Sequence, residues 1–480
     1  MIEGPVTGGN HGWAFGRPLF DLKTRGYVEE EYFLTGTATT YRLAPGSTMS
    51  WDGRWRAETN ASVPFKTRIL VYRPADAARF NGTVIVSWNN VTAGYELFGG
   101  ESAEILDGGY AFVGATVQRV GVHGFPKNSQ GLAAWDPQRY DSLSIPTDDA
   151  SYDIFTQVAR AVGAKRNRSG IDPLGGLDVR KVVGIGASQS AARLATYVNA
   201  IHPIERAFDG YLLQIYFGRG RPLEVGSLIH NADFTQRLSG QNLPALLREV
   251  ELVGGHLIRD DLDVPVMVVN SELEAVACHN VRQPDTDRFR YWESAGTSHT
   301  AYATQLIRSQ KYEREFEAPS PILDDMNRIS LTPFYDAAIH HLNRWVHGGG
   351  PPPRQPLIAF AGEPADVVRD ANGIAQGGVR LPQVEAPVAM NCAIPLEPTR
   401  GLLLRGSSRT FDPGKLAALY GNEANYLKRF EQAAARAVQA GVILARDVAP
   451  LLAEAGQEFQ RSMRGSQAPA PRARAASGPA

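Results

Sequence analysis

The sequence predicts an α/β protein: a mostly parallel central sheet with helices on both faces, an inserted region, and a helical extension at the C-terminus. Three observations lead there. From about residue 67 to 347, short apolar runs alternate with helix-like segments, the pattern of a helix-covered parallel sheet. The run Gly348-Gly349-Gly350-Pro351-Pro352-Pro353 then stops that pattern firmly. Beyond it, irregular Gly/Pro-rich sequence gives way to Ala-rich helical sequence. The expected organisation is an N-terminal segment with the first strands over 1–66 and a core over 67–347 with an insertion at about 218–262. An irregular extension over 348–410, helices over 411–464 and a disordered tail over 465–480 follow.

Each element has a local reason. Residues 67–72 and 83–88 are strand-like, the second following an Asn81-Gly82 turn. Residues 102–106 are helical and stop at Gly108-Gly109, and 111–117 form the next buried strand. The loop to about residue 150 is rich in Gly, Pro and Asp, a length usually reserved for function. A helix over 151–164 follows, with Ser151 as its expected N-cap and Ile154, Phe155, Val158, Ala161 and Val162 on its apolar face. Residues 180–185 are a short apolar strand, and 189–201 a helix limited by Pro203. Three more strands are expected at 210–216, 265–269 and 289–293, then an amphipathic helix over 332–347. Residues 416–463 are helical, with Tyr426, Leu427, Phe430, Ala434 and Ala437 at three- and four-residue spacing.

Composition narrows the function. Across 480 residues, 43% hydrophobic and 21% charged is an ordinary globular mix. A net charge of −1 provides no basic field for nucleic acid. Only Cys278 and Cys392 are present, so neither a disulfide framework nor a cysteine-rich metal site is expected. No apolar run approaches the length of a membrane span, and the first ten residues lack a basic and apolar leader. The expectation is a cytoplasmic protein acting on a small molecule, with no cofactor and no metal. Whether it forms a homo-oligomer is left open.

The chemistry concentrates at Gly186-Ala187-Ser188-Gln189-Ser190. A serine between an apolar strand and a helix, with small residues two positions to either side, matches a nucleophile elbow. The turn is so tight that large flanking side chains would clash, and the serine hydroxyl is pushed clear of the backbone. Here the second flank is Ser190 rather than Gly, and a helix-capping role for such a Gly/Ser turn is the plain alternative. A serine needs a histidine base and a carboxylate to orient it. His299 lies in a small-residue loop directly after an expected strand, where a base can reach over the serine; His279 is the runner-up. The acid should follow the strand over 265–269. Glu274 is expected there, with Glu272 the alternative, while Asp285 and Asp287 read as loop caps. For the oxyanion, the Gln189 amide and one from the loop Asn89-Asn90-Val91-Thr92-Ala93-Gly94, preferably Val91, are the candidates. Asn90, Trp88 and Tyr95, with Phe98 and Phe125, are candidates to line a substrate pocket. Asn-Asn pairs also form ordinary Asx turns, and aromatics are as often plain core.

These motifs carry a family resemblance. Gly82 through Thr92, Gln118 through Val122, Tyr152 through Gln157, Gly186 through Ser190, and Arg282 through Arg290 running into Ala295 through His299 occur in succession. In these stretches the chain resembles the large bacterial alpha/beta hydrolase domain proteins, over about residues 30 to 460 and including Asp370 through Arg380. The family shares Ser-Gln-Ser at the elbow and often has an acid-x-acid pair after the seventh strand, here Glu272 and Glu274. Aspartate is commoner at the second place. The resemblance implies an α/β-hydrolase fold and a serine hydrolase with a Ser, acid, His triad, and it implies no particular substrate.

Other features read as structural. Gly94 through Gly100 lacks the Lys-Ser/Thr of a phosphate loop. Arg119 is expected in a buried ion pair rather than on a substrate carboxylate, and Cys278 as an inert thiol. The expected reaction is hydrolysis of a carboxylic ester through an acyl-enzyme. An amidase or peptidase with the same triad, an acyltransferase or lyase, and an inactive binding protein are the alternatives.

Overall fold

A computed structural model describes residues 1–97, 99–224, 255–363, 365–395 and 403–464. Most of the insertion expected at 218–262 and the tail expected at 465–480 therefore lie outside the described residues.

Among the described residues, nine strands form one sheet in the order β1-β2-β3-β5-β4-β6-β7-β8-β9. They are β1 (Ile2–Glu3), β2 (Tyr27–Leu43), β3 (Ala57–Pro74), β4 (Thr83–Trp88), β5 (Ala111–Ala115), β6 (Lys181–Ala187), β7 (Gly210–Gln214), β8 (Val266–Ser271) and β9 (Phe289–Ser294). Pairing is antiparallel from β1 to β3 and between β3 and β5, and parallel from β5 through β4, β6, β7 and β8 to β9. The parallel strands read as continuous apolar runs because both their faces are covered. Val84, Val86 and Trp88 enter one core and Ile85 the other, following the two-residue period of a strand.

On the first face lie α2 (Ser151–Val162) and α3 (Gln189–Thr196), with Phe155, Val158 and Leu194 in the core. The second face holds α1 (Ala103–Asp107) and α6 (Thr332–Val346), with α4 (Glu272–Cys278) and α5 (Tyr302–Phe316) between β8 and α6 in sequence. The C-terminal helices α7 (Pro413–Tyr420), α8 (Glu423–Gln439) and α9 (Val448–Met463) share that second core, where Tyr426, Phe430 and Phe459 join Phe334 and Trp345. Among the described residues, no helix is long and apolar enough to cross a membrane.

Several local expectations are corrected. The boundary at 66/67 falls inside β3, so the long β2–β3 hairpin and the core are one sheet. Ser151 is a helical residue rather than the N-cap; Thr147 caps a preceding 3-10 turn that leads into α2, and the buried Ser151 hydroxyl has no partner among the described residues. The helix after Ser188 widens into a π turn over Tyr197–Ile201 and runs on into a short turn over His202–Glu205 that contains Pro203, so the proline does not end it at 201. The sequence reading missed α5, whose polar outer face hides its period. The irregular extension is not an appendage. Val379 bridges the edge of β9, donating its amide to Glu293 O at 2.6 Å and accepting from Ala295 N at 2.9 Å.

Candidate active site

The parallel strands aim their carboxyl ends at one edge of the sheet, where loops after β4, β6, β7, β8 and β9 converge. At the end of β6, Ser188 has φ 60° and ψ −119°, a backbone conformation that non-glycine residues rarely adopt. The cause is steric. A Cβ at Gly186 would lie 2.8 Å from the carbonyl oxygen of Ser190, so the strand and helix pass too closely for any side chain there. The capping alternative is not met, because Ser188 makes no side-chain cap bond to α3. Its amide donates to Gln214 O at 2.9 Å, which ties the elbow to the end of β7.

Beneath the elbow lies a polar network that the sequence reading did not foresee. Gln118 Oε1 accepts from Trp88 Nε1 and from Gln189 Nε2, both at 3.0 Å. Gln118 Nε2 donates to Asp148 Oδ2, which also accepts from Arg193 Nη2, both at 3.2 Å. Arg193 Nη1 reaches Tyr152 Oη at 3.5 Å. Three of the motifs that carry the resemblance, those at Gln118, Tyr152 and Gln189, thus meet here. The buried ion pair expected of Arg119 belongs instead to Arg193 and Asp148. Arg119 gives only its backbone amide to Asp148, at 2.7 Å.

Two carboxylates leave β8, and the structure separates them. Glu274 Oε1 lies 2.6 Å from His299 Nδ1. Its Oε2 accepts from the Ser271 amide at 3.2 Å and from the Ser271 hydroxyl, in a capping box that opens α4. Glu272 faces elsewhere: it accepts from Gly296 N at 2.6 Å and from Arg369 Nη2 at 2.8 Å. Both glutamates are fully buried. The ring of Phe217, three residues past Gln214, stacks on His299 with centroids 5.3 Å apart. The alternative base His279 lies against Phe360, its Nδ1 bonded to Val276 O at 3.3 Å. Asp285 caps its loop, accepting from Tyr291 N at 3.0 Å.

The loop after β4 is pinned to the elbow. Asn90 Nδ2 donates to Ala187 O, and its Oδ1 accepts from Thr92 N, both at 2.9 Å, so the Asx turn and the contact coexist. Both ends of the Asn90 side chain thus hold the loop in place, each with one further hydrogen-bonding position left. Val91 is buried and begins a turn closed by Gly94 N to Val91 O at 3.0 Å. Gln189 is the first residue of α3, where helical amides have no intrahelical acceptor. Trp88 is also corrected. It is 1% exposed and packs on Tyr152 and Phe155, inside the first core rather than on a pocket wall. Tyr95 joins Phe15, Tyr312 and Phe316 in an aromatic cluster, and burial pushes its hydroxyl up to about 12. Phe125 packs against Gly94, and Phe98 lies outside the described residues. The Cys278 thiol is fully buried, donates to Glu274 O at 2.6 Å, and is pushed up by burial. Among the described residues, no three His, Cys, Asp or Glu side chains are grouped as metal ligands are.

This sheet order and edge define an α/β-hydrolase fold. The family model described as "Alpha/beta hydrolase domain" matches residues 2–453, and the chain belongs to that family. No curated protein matches it. Similar solved structures include esterase Est22, at 10% identity and a TM-score of 0.31, covering 68% of this chain and 81% of that one. Brefeldin A esterase, a bacterial homologue of human hormone-sensitive lipase, is 12% identical with a TM-score of 0.30, covering 63% and 77%. A Rhizomucor miehei esterase is 11% identical with a TM-score of 0.31, covering 69% and 93%. These likenesses are distant, and the family assignment rests on the matched family model.

Proposed function

We propose that the protein is a serine hydrolase that cleaves a carboxylic ester of a small or medium-sized organic substrate through an acyl-enzyme. The observation that carries this reading is the 2.6 Å contact between Glu274 and His299, on the sheet edge where Ser188 is held in its strained turn. In this mechanism His299 Nε2 takes the proton as Ser188 Oγ attacks the ester carbonyl, then delivers it to the leaving alkoxide. Water repeats the cycle on the acyl-enzyme. Glu274 holds the Nδ1–H tautomer and stabilises the imidazolium. The amides of Gln189 and Val91 donate to the oxyanion, each worth roughly 3 kcal/mol of barrier. Asn90 supports the reading by fixing the Val91 loop to the elbow.

The test is labelling with a fluorophosphonate probe and mapping of the adduct by mass spectrometry, followed by an ester panel. The expected adduct is on Ser188, and Ser188→Ala should lower ester turnover by about 10⁴-fold or more. An adduct on another serine, or full turnover by the variant, overturns the assignment.

A further inference from the structure

Buried arginines in this protein are paired with carboxylates: Arg68 with Glu31 and Glu96, Arg139 with Glu31, Arg193 with Asp148. Half-buried Arg308 on α5, like Arg405, has no such carboxylate among the described residues. Its one hydrogen bond is a long one, 3.4 Å from Nη1 to Thr300 Oγ1, and Thr300 adjoins His299. Burial pulls the guanidinium below its ordinary value, with only tyrosines opposing that effect. A cation withdrawn from water without an anion is costly, and such a group marks a place where an anion belongs.

The surroundings show where it sits. Arg308, Tyr312 and Phe316 fall at four-residue intervals on one face of α5. Tyr95 packs on the last two, with ring centroids 5.7 and 5.1 Å apart. Tyr95 follows Val91 on the loop after β4. Arg308 thus stands where that loop meets the His299 loop, at the sheet edge that carries Ser188. Tyr335 on α6 adds a second, independent sign: its hydroxyl is buried and, among the described residues, has no hydrogen-bond partner. That hydroxyl feels both the charge of Arg308 and the charge of Glu274, and burial raises it well above its ordinary value. Glu274 is already engaged by His299 and Ser271, so it does not serve as the missing anion.

We infer that Arg308, with the hydroxyls of Tyr335 and Tyr95, forms a carboxylate subsite beside His299, and that the substrate is an ester bearing a free carboxylate. The inference rests on the hydrolase reading above. A guanidinium fork takes a carboxylate through two parallel N–H donors, and the tyrosine hydroxyls supply further donors to its remaining lone pairs. Among the described residues, no carboxylate of the chain competes for the site.

The test compares charged esters with neutral isosteres on the full chain. The probes are 3- and 4-acetoxybenzoate against their methyl esters, with the charge on the alcohol side. Monoethyl adipate against diethyl adipate places it on the acyl side. At least one pair should favour the anion by about tenfold or more in kcat/KM. Arg308→Gln should bring that ratio close to one, and Arg308→Lys should restore part of it. Equal turnover within every pair by the unaltered protein overturns the inference. So does an equal fall for anion and neutral ester in Arg308→Gln, which marks a scaffold role. Calorimetric titration with adipate and benzoate separates the subsite from the chemistry: binding should survive Ser188→Ala and be lost in Arg308→Gln. No binding of either overturns the subsite, whereas binding without any ester turnover or Ser188 adduct overturns the hydrolase reading alone.

Discussion

The serine side and the histidine side of the candidate site are built differently. Ser188 is held by its immediate neighbours. Gly186, Ser190 and Gln214 set the strained turn, and Gln118, Asp148 and Arg193 brace it from within the α/β core. The His299 loop is held from far along the chain. Glu272 ties the Gly296 amide to Arg369 of the extension. Asn327 Nδ2 donates to Gly296 O at 2.8 Å and to Cys392 O at 3.1 Å. Thr300 N donates to Leu404 O at 2.9 Å, and Ser298 Oγ reaches Arg405 O at 3.3 Å. The serine turn is thus local and steric, whereas the His299 loop is positioned by the extension and the segments next to it. The two sides should fail independently.

The largest expected effect separates the two glutamates. Glu274→Gln leaves a hydrogen-bonding group but favours the wrong imidazole tautomer, so kcat should fall by about 10³- to 10⁴-fold with little change in melting temperature. Glu272→Gln should do the reverse, because it removes the charge that holds Arg369 and keeps Glu274 on His299. Steady-state kinetics beside thermal melts reads both; equal kinetic losses would mean that the two carboxylates share one task. Next comes Gly186→Ala on the serine side. Its new Cβ meets backbone rather than a flexible side chain. It should cost about 1–3 kcal/mol in urea melts and slow fluorophosphonate labelling, while leaving the His299 loop protected in hydrogen exchange.

The same contrast explains what could be read in the sequence. Five consecutive residues encode the elbow, and a strand before and a helix after them complete the signal. The strands over 83–88, 210–214, 266–271 and 289–294 were legible for a similar reason, since apolar runs bounded by turns need no knowledge of partners. Glu274 could be preferred to Glu272 from its place after the strand, but the task of Glu272 could not be read, because it depends on Gly296 and Arg369, 24 and 97 positions away. Trp88 was misjudged because a tryptophan at a strand end has the same local pattern whether it faces a cleft or a core. Phe217 left no signal at all: its role exists only where the end of β7 meets the loop after β9. Of the β2–β3 hairpin only the strand at 67–72 and unplaced first strands before it were legible, because the rest carries charges and threonines in place of an apolar run.

Arg369→Ala should sharpen the comparison from the histidine side. It leaves the Glu272 carboxylate buried with only the Gly296 amide. Because the Arg369 side chain is 34% exposed, the cost should be about 2–3 kcal/mol, below the about 3–5 of a fully buried pair. Increased hydrogen exchange should be confined to residues 294–300 and the extension. Spread of the exchange into residues 181–196 would show that the two sides share one cooperative unit.

The smallest effect concerns the seam that docks the C-terminal layer. Asp336 on α6 accepts from Glu104 N at 3.0 Å, and Glu104 pairs with Arg446 just before α9. Burial, with help from Asp447 and Asp107 and against a bond from Ser102, raises the Asp336 carboxyl to about 7. The unfolded chain releases this proton near pH 4, so between about 4 and 7 the folded state holds one proton more. The resulting stability is fully present below about pH 4 and is lost as pH rises to about 7. Each pH unit that separates the folded from the unfolded titration is worth about 1.4 kcal/mol, and because the Arg446 side chain leaves the seam open to solvent at one end the expected total is about 1–2 kcal/mol. Asp336→Asn keeps an acceptor for Glu104 N without the charge. It should therefore stabilise the protein by that amount at pH 8 and by almost nothing at pH 4.5. Urea melts at the two pH values measure the difference, and hydrogen exchange locates it. Because the seam belongs to the histidine side, the gain at pH 8 should lie in residues 413–463 and leave the elbow unchanged. A gain of equal size at both pH values would trace the stabilisation to packing instead of to the proton.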